Sequence, residues 1–479
     1  MSPEHSRQAL SWARQAVLVV IVLTAGWGIA RAQQQQQQPQ QKPISALERG
    51  RTENMLGQIR AELKKAYYDS KFHGMDPDER YKTYLERLQK AQTLGDAYRV
   101  VAAYLSGLDD SHTFFVPPRR SYRVEYGYRM QMIGDKCFIT DVRPGLDAAQ
   151  KLHPGDQVVS IGTYSVNRKD LWQLQYYLNQ IAPQPATSFV VRDPSGADRH
   201  ETVNTKYKTG KRMKELGQAT GDTDYWRIIL EEEQQERLLR NRYVEIGDAL
   251  IWKMPVFTGD EQALNHITDI ARKHKALILD LRGNPGGLET ALELMVGSVM
   301  DHDVSIGKRV MRRGEKPLVA KSHGHDAFSG QLIVVVDSRS ASAAELFARV
   351  VQIEHRGTLI GDLTSGAVME SIYHPFQEGG QIDVGYGQTE SSVVIGGSSG
   401  PGNQIVVLYG ASITNADLIM TDGKSLEKVG VTPDVLVLPS AADLAAGRDP
   451  VLAKAAELAG IKLDAVAAGK MFPFEWAPD

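Results

Sequence analysis

Apolar residues recur at multiples of four from Leu47 through Met55, Ile59 and Leu63 to Tyr67. That spacing stacks side chains on one face of a helix. Leu85, Leu88, Val100, Val101, Tyr104 and Leu105 continue the pattern, and Asp76-Pro77-Asp78-Glu79 has the acidic first turn of a helix start. Residues 44–116 therefore read as a helical region. From Pro117 to Tyr207 the texture changes. Lys136–Val142 reads as a strand, Gly145–Leu152 as a short helix, and Pro154-Gly155-Asp156 as a turn into a strand ending near Ile161. Leu171–Ile181 suits a second helix and Ser188–Arg192 a last strand. Residues 208–245 are strongly charged and read as a solvated helical linker. From Ile246 to about residue 440, strand-like and helix-like segments alternate, which predicts an α/β core with parallel strands. Residues 441–479 form a helical tail, with Asp449 and Pro450 placed as cap and first helical residue.

Composition adds limits. A chain of 479 residues has room for two or three domains, and 42% hydrophobic with 24% charged residues is ordinary globular usage. A net charge of −3 gives no case for nucleic acid as a partner. The single cysteine, Cys137, excludes an intramolecular disulfide and reads as a small buried apolar residue. Arg7 and Arg14 precede an apolar core, Ala16–Ala25, and Ala30-Arg31-Ala32 has the form of a cleavage site. Residues 1–32 read as an export signal, which predicts a periplasmic or extracellular protein starting at Gln33. Membrane contact is expected only through that segment if it stays uncleaved. Residues 33–43 are a Gln-rich linker.

Four segments carry the chemistry. Ala276–Leu281 is an apolar strand running into Arg282-Gly283-Asn284-Pro285-Gly286-Gly287. Leu332–Val336 is another, followed by Asp337-Ser338-Arg339-Ser340-Ala341-Ser342-Ala343-Ala344-Glu345 and a helical pattern. A serine at a strand end, on the first turn of a helix, is well placed for a nucleophile, although serines also sit there as plain caps. Gly361-Asp362-Leu363-Thr364-Ser365-Gly366-Ala367 and Gly430-Val431-Thr432-Pro433-Asp434-Val435 complete the set.

In this order the four segments resemble the C-terminal processing (tail-specific) serine peptidases, over nearly the whole mature chain. The resemblance implies a ClpP/crotonase-like spiral ββα core. It implies a PDZ-like domain at 117–207, whose carboxylate-binding loop would be Tyr126-Gly127-Tyr128. It implies Ser342 as nucleophile, with Ser340 less favoured, and an oxyanion hole from the N–H of Ala343 and that of Gly286 or its neighbour Gly287. In the best-known branch a lysine is the base. Here its position, twenty-five residues after Ser342, is Ala367. The other branch, resembling the tricorn core protease, uses a Ser-His pair ahead of the PDZ domain, and Ser111-His112 matches it. His112 is then the base and Ser111 orients it. Glu427 is the candidate carboxylate, with an ion pair to Lys424 or Lys428 as its alternative.

These expectations describe an exported serine endopeptidase acting on extended or unfolded protein segments, engaged through their C-termini, with no cofactor and no metal. Two rivals stay open: a PDZ-containing binding protein that has lost activity, and an esterase or amidase of small acyl substrates. His323-Gly324-His325-Asp326 reads as a solvated loop. Gly396-Gly397 and Ser398–Gly402 read as turns.

Overall fold

The computed structural model describes residues 43–118, 120, 122–209, 239–378 and 407–476. The export signal, almost all of the Gln-rich linker, most of the charged linker and the turns at 396–402 lie outside these residues. No helix among the described residues is long and apolar enough to cross a membrane.

The periodic N-terminal segment forms three helices, Ala46–Ala66, Pro77–Gln89 and Leu94–Leu105. Each begins on a side-chain cap. Ser45 and Glu48 bond each other's backbone reciprocally, Asp76 accepts from Asp78 and Glu79, and Thr93 repeats the first device with Asp96. Met55, Leu56, Ile59, Leu63, Val101 and Tyr104 are buried in one cluster, which also holds Phe115, Tyr409, Ala411 and Ile413. The helical region is therefore not a body of its own. Three helices cannot cover their joint apolar face alone, and residues from the far end of the chain complete it.

After β1 (Phe114–Val116) comes a small β domain: β2 (Tyr122–Glu125), β3 (Tyr128–Ile133), β4 (Lys136–Val142), β5 (Gln157–Ile161), β6 (Tyr164–Ser165), β7 (Ala186–Arg192), β8 (Asp198–Asn204) and β9 (Lys206–Thr209). Its main sheet has the order β3-β4-β5-β7-β8, with β6 beside β5. Cys137, Ile139, Val158, Phe189 and Val191 lie in its separate core. Among the described residues β3 pairs with one strand only, β4, and its other edge carries no strand. Its outward carbonyls are occupied. Met130 accepts from Gln175 Nε2 at 3.3 Å, and Met132 accepts from Ser338 Oγ at 2.5 Å. Arg168 ties the same domain to the core, donating to the Gly134 carbonyl, the Asp362 carboxylate and the Leu363 carbonyl.

The core contains β10 (Arg242–Ile246), β11 (Ala249–Lys253), β12 (Ala276–Asp280), β13 (Val304–Met311), β14 (Glu315–Ala320), β15 (Gln331–Val336), β16 (Gly357–Gly361), β17 (Met369–Glu378), β18 (Val407–Met420) and β19 (Val435–Leu436). One sheet has the order β10-β11-β12-β15-β16-β19, parallel from β11 onward. The middles of its central strands are apolar on both sides because both faces are covered, with Lys253, Asp280 and Gln331 at strand ends. Leu250, Leu277, Leu279, Leu332 and Val334 face the helices Glu289–Gly297 and Ala343–Ile353. Ile251, Ile278, Ile333 and Val335 face the C-terminal helix Pro450–Leu458. A second, antiparallel sheet runs β1-β18-β13-β14, with β17 also on β18. The alternating α/β reading found the first sheet and missed the second. Lys308, Arg309, Lys316 and Glu370 lie on strands of that sheet, which breaks any apolar run.

Candidate active site

β12 and β15 are parallel neighbours, so the turns that leave their C-terminal ends lie side by side. They are stitched together. Gly283 N–H donates to Asp337 Oδ1 at 2.8 Å, Ala341 N–H to the Asn284 carbonyl at 2.9 Å, and Ser340 Oγ to the Leu281 carbonyl at 2.8 Å. Ser340 is fully buried and its hydroxyl is used in this bond, so it offers no nucleophile. Ser342 is partly exposed. It precedes the helix Ala343–Ile353 with φ 54° and ψ −121°, a backbone region costly for a residue with a Cβ.

Gly286 makes the close approach possible. A Cβ there would sit 2.6 Å from Ser342 Cβ and 2.9 Å from Ala343 N. Its own N–H is taken, donating to Asn284 Oδ1 at 2.8 Å. Asn284 is buried and anchored by Nδ2 to the Met254 carbonyl. The N–H groups of Gly287 and Ala343 make no hydrogen bond among the described residues. Of the two glycines expected to offer a donor, Gly287 is the one with its N–H free.

Ser111 and His112 reach the site from the end of the helical region. Thr113 Oγ1 donates to Thr414 Oγ1, and β1 pairs with β18 directly afterwards. Glu427 accepts from Ser111 N–H at 2.8 Å, Ser111 Oγ at 2.8 Å and Val368 N–H at 2.9 Å. It does not pair with Lys424 or Lys428; the latter pairs with Asp109. Ser111 Oγ also lies 2.7 Å from His112 Nδ1. The serine spends its one proton on Glu427, so it can only accept from the imidazole. Nδ1 must carry a hydrogen, and in the neutral ring Nε2 holds the lone pair. Burial keeps His112 below the ordinary imidazole range, opposed by the charge of Asp110. Burial also raises the Glu427 carboxyl, against the donors that stabilise its anion.

Two consecutive residues join this relay to the serine turn. Val368 N–H meets Glu427, while the Ala367 carbonyl accepts from Ser342 N–H at 2.9 Å. No hydrogen bond links His112 to Ser342 themselves among the described residues. Tyr126, Gly127 and Tyr128 sit apart, in the β domain. Tyr126 Oη donates to the Leu178 carbonyl, the Gly127 carbonyl accepts from Arg143 N–H, and Tyr128 packs edge-on against Phe189.

Two carboxylates were not singled out from sequence. Asp110 accepts from Tyr67 Oη, Thr414 Oγ1, His112 N–H and Thr113 N–H. Glu345 accepts from four donors around Ser342. Asp110 stands in the same run as His112, which was its only signal.

Residues 249–437 match the model of "Peptidase family S41". The "Tail-specific protease" of Haemophilus influenzae is 26% identical over 311 residues, 60% of this chain and 41% of that protein. The "Carboxy-terminal processing protease CtpA" of Bacillus subtilis is 28% identical over 145 residues, 29% of this chain and 31% of that one. The chain thus spans less than half the length of either relative. Mature CPAF superposes with a TM-score of 0.57 at 16% identity, over 84% of this chain and 95% of CPAF, a likeness of fold. Over residues 249–437, the chain is thus similar to peptidase family S41.

Proposed function

We propose that the protein is an exported serine endopeptidase with a ClpP/crotonase-like core and a PDZ-like domain at 117–207. Ser342 attacks a peptide carbonyl and His112 Nε2 takes its proton. The N–H groups of Gly287 and Ala343 receive the oxyanion. The imidazolium then protonates the leaving amine, and water, deprotonated by the same ring, releases the acyl group. Ser111 and Glu427 hold the ring and disperse its charge as it forms. The observation that carries this reading is the direction of the relay. It ends on an acceptor, Glu427, and so leaves His112 Nε2 as a lone pair. A base of this kind needs no lysine at Ala367.

Substrates are extended or unfolded protein segments, in keeping with the processing activities named for the relatives. The open edge of β3 suits a peptide added as a strand and engaged by its C-terminus.

The test is labelling of folded protein with a fluorophosphonate probe. Wild type is expected to label, Ser342→Ala not at all, and His112→Ala slower by about a hundredfold or more. Full labelling of His112→Ala would remove the base, and labelling of Ser342→Ala would remove the nucleophile. A folded wild type that stays unlabelled while binding peptide tails would replace this reading with that of a binding protein.

A further inference from the structure

We propose that Glu345 is the positioning residue of this site, fixing the backbone of Ser342 against the loop at residues 364–368; the inference rests on reading Ser342 as the nucleophile. Glu345 stands at the third position of the helix Ala343–Ile353, where a glutamate ordinarily caps its own helix from the surface. This one is 0% exposed. It reaches well beyond its helix. Oε1 accepts from Thr364 Oγ1 at 2.5 Å and Gly366 N–H at 2.7 Å. Oε2 accepts from Ala367 N–H at 3.0 Å and Ser342 N–H at 3.1 Å.

Every donor is uncharged, and among the described residues no lysine or arginine pairs with the carboxylate. A buried acid without a counter-ion is costly to keep. Burial pushes it up to about 7, against the four donors that favour the anion. What that cost secures is geometry. One oxygen grips the loop and the other grips both the loop and the nucleophile's own amide. Ser342 N–H is shared between Glu345 and the Ala367 carbonyl, which holds φ at its costly positive value. The next amide along the loop, Val368, contacts Glu427. Glu345 therefore sets the distance between the serine turn and the relay that aims His112. It touches no reacting atom itself.

Glu345→Gln tests this, because it keeps the shape and changes one oxygen into a donor. Either orientation sets an NH2 group against two existing donors. The maximal rate of fluorophosphonate labelling is expected to fall by about a hundredfold, the scale of a small misplacement of reacting groups, with the probe concentration for half-maximal rate unchanged. Amide hydrogen exchange is expected to rise in peptides covering 337–346 and 361–369 and nowhere else. Unchanged rate and exchange would overturn the assignment. So would a general rise in exchange with a lowered melting temperature, since that marks an ordinary core residue. If wild type itself fails to label, the peptidase reading fails, and exchange alone still decides whether Glu345 holds the turn.

Discussion

Asp110 precedes the imidazole by two residues and gives both its oxygens to the segment that holds it. One accepts from His112 N–H, Thr113 N–H and Thr414 Oγ1, the other from Tyr67 Oη. Its charge has a second effect, since it favours the imidazolium and so opposes burial. The sign follows directly. On the proposed reading His112 works as a base only when neutral, so labelling should rise with pH through the histidine's pKa and be flat above it. Burial puts that limb below the ordinary 6.5. Asp110→Asn removes the opposing charge, and the limb should move further toward acid. The same substitution weakens a buried cluster of donors and should cost about 1–3 kcal/mol in urea unfolding. A limb that moved toward alkali would contradict the electrostatic assignment. The sequence made His112 legible and Asp110 not. Its partners Tyr67 and Thr414 lie 43 and 304 positions away, and no local pattern reports such distances. Glu345 was hidden differently, because a glutamate three residues after a helix start looks like a plain cap.

At the scale of elements, the two turns beyond β12 and β15 behave as one unit. Gly286→Ala is the direct probe. The added carbon would lie within 3 Å of Ser342 and Ala343, at a φ of 100° that strains any other residue. Labelling should fall by about a hundredfold or more, with a lowered melting temperature; activity near wild type would mean that the turns do not meet as described. These elements were readable because a buried parallel strand is an apolar run that leads into a turn bearing glycine or serine. Leu277–Leu279 and Leu332–Val336 are runs of that kind. The hairpin of β13 and β14 was not readable, since exposed Lys308 and Lys316 and partly buried Arg309 leave no apolar run. Periodicity reports burial, and a strand wet on one face shows less of it. The glycine turn was legible as a motif, but which glycine has its amide free depends on the Asn284 side chain, and no spacing rule supplies that.

At the scale of the molecule, the β domain touches the core through the serine turn itself. Ser338, four residues before Ser342, donates to Met132 on the open edge of β3. A peptide adding to that edge must displace this bond. Ser338→Ala should therefore tighten binding of a peptide with a free apolar C-terminus by about fivefold, the worth of one ordinary hydrogen bond, read by fluorescence anisotropy. Unchanged or weaker binding would place the peptide elsewhere. The relay has a wider consequence. Ser111 meets Glu427 across 316 positions of sequence, and β1 finds its partner only in β18. A chain still being made holds Ser111 and His112 without the Glu427 carboxylate that anchors them, and Ser342 without Glu427 nearby. On the proposed reading, cutting power would arrive only when the segment carrying Glu427 has docked onto the one carrying Ser111 and His112. On that reading, synthesis order alone would keep unfinished copies from cutting, with no detachable inhibitor needed.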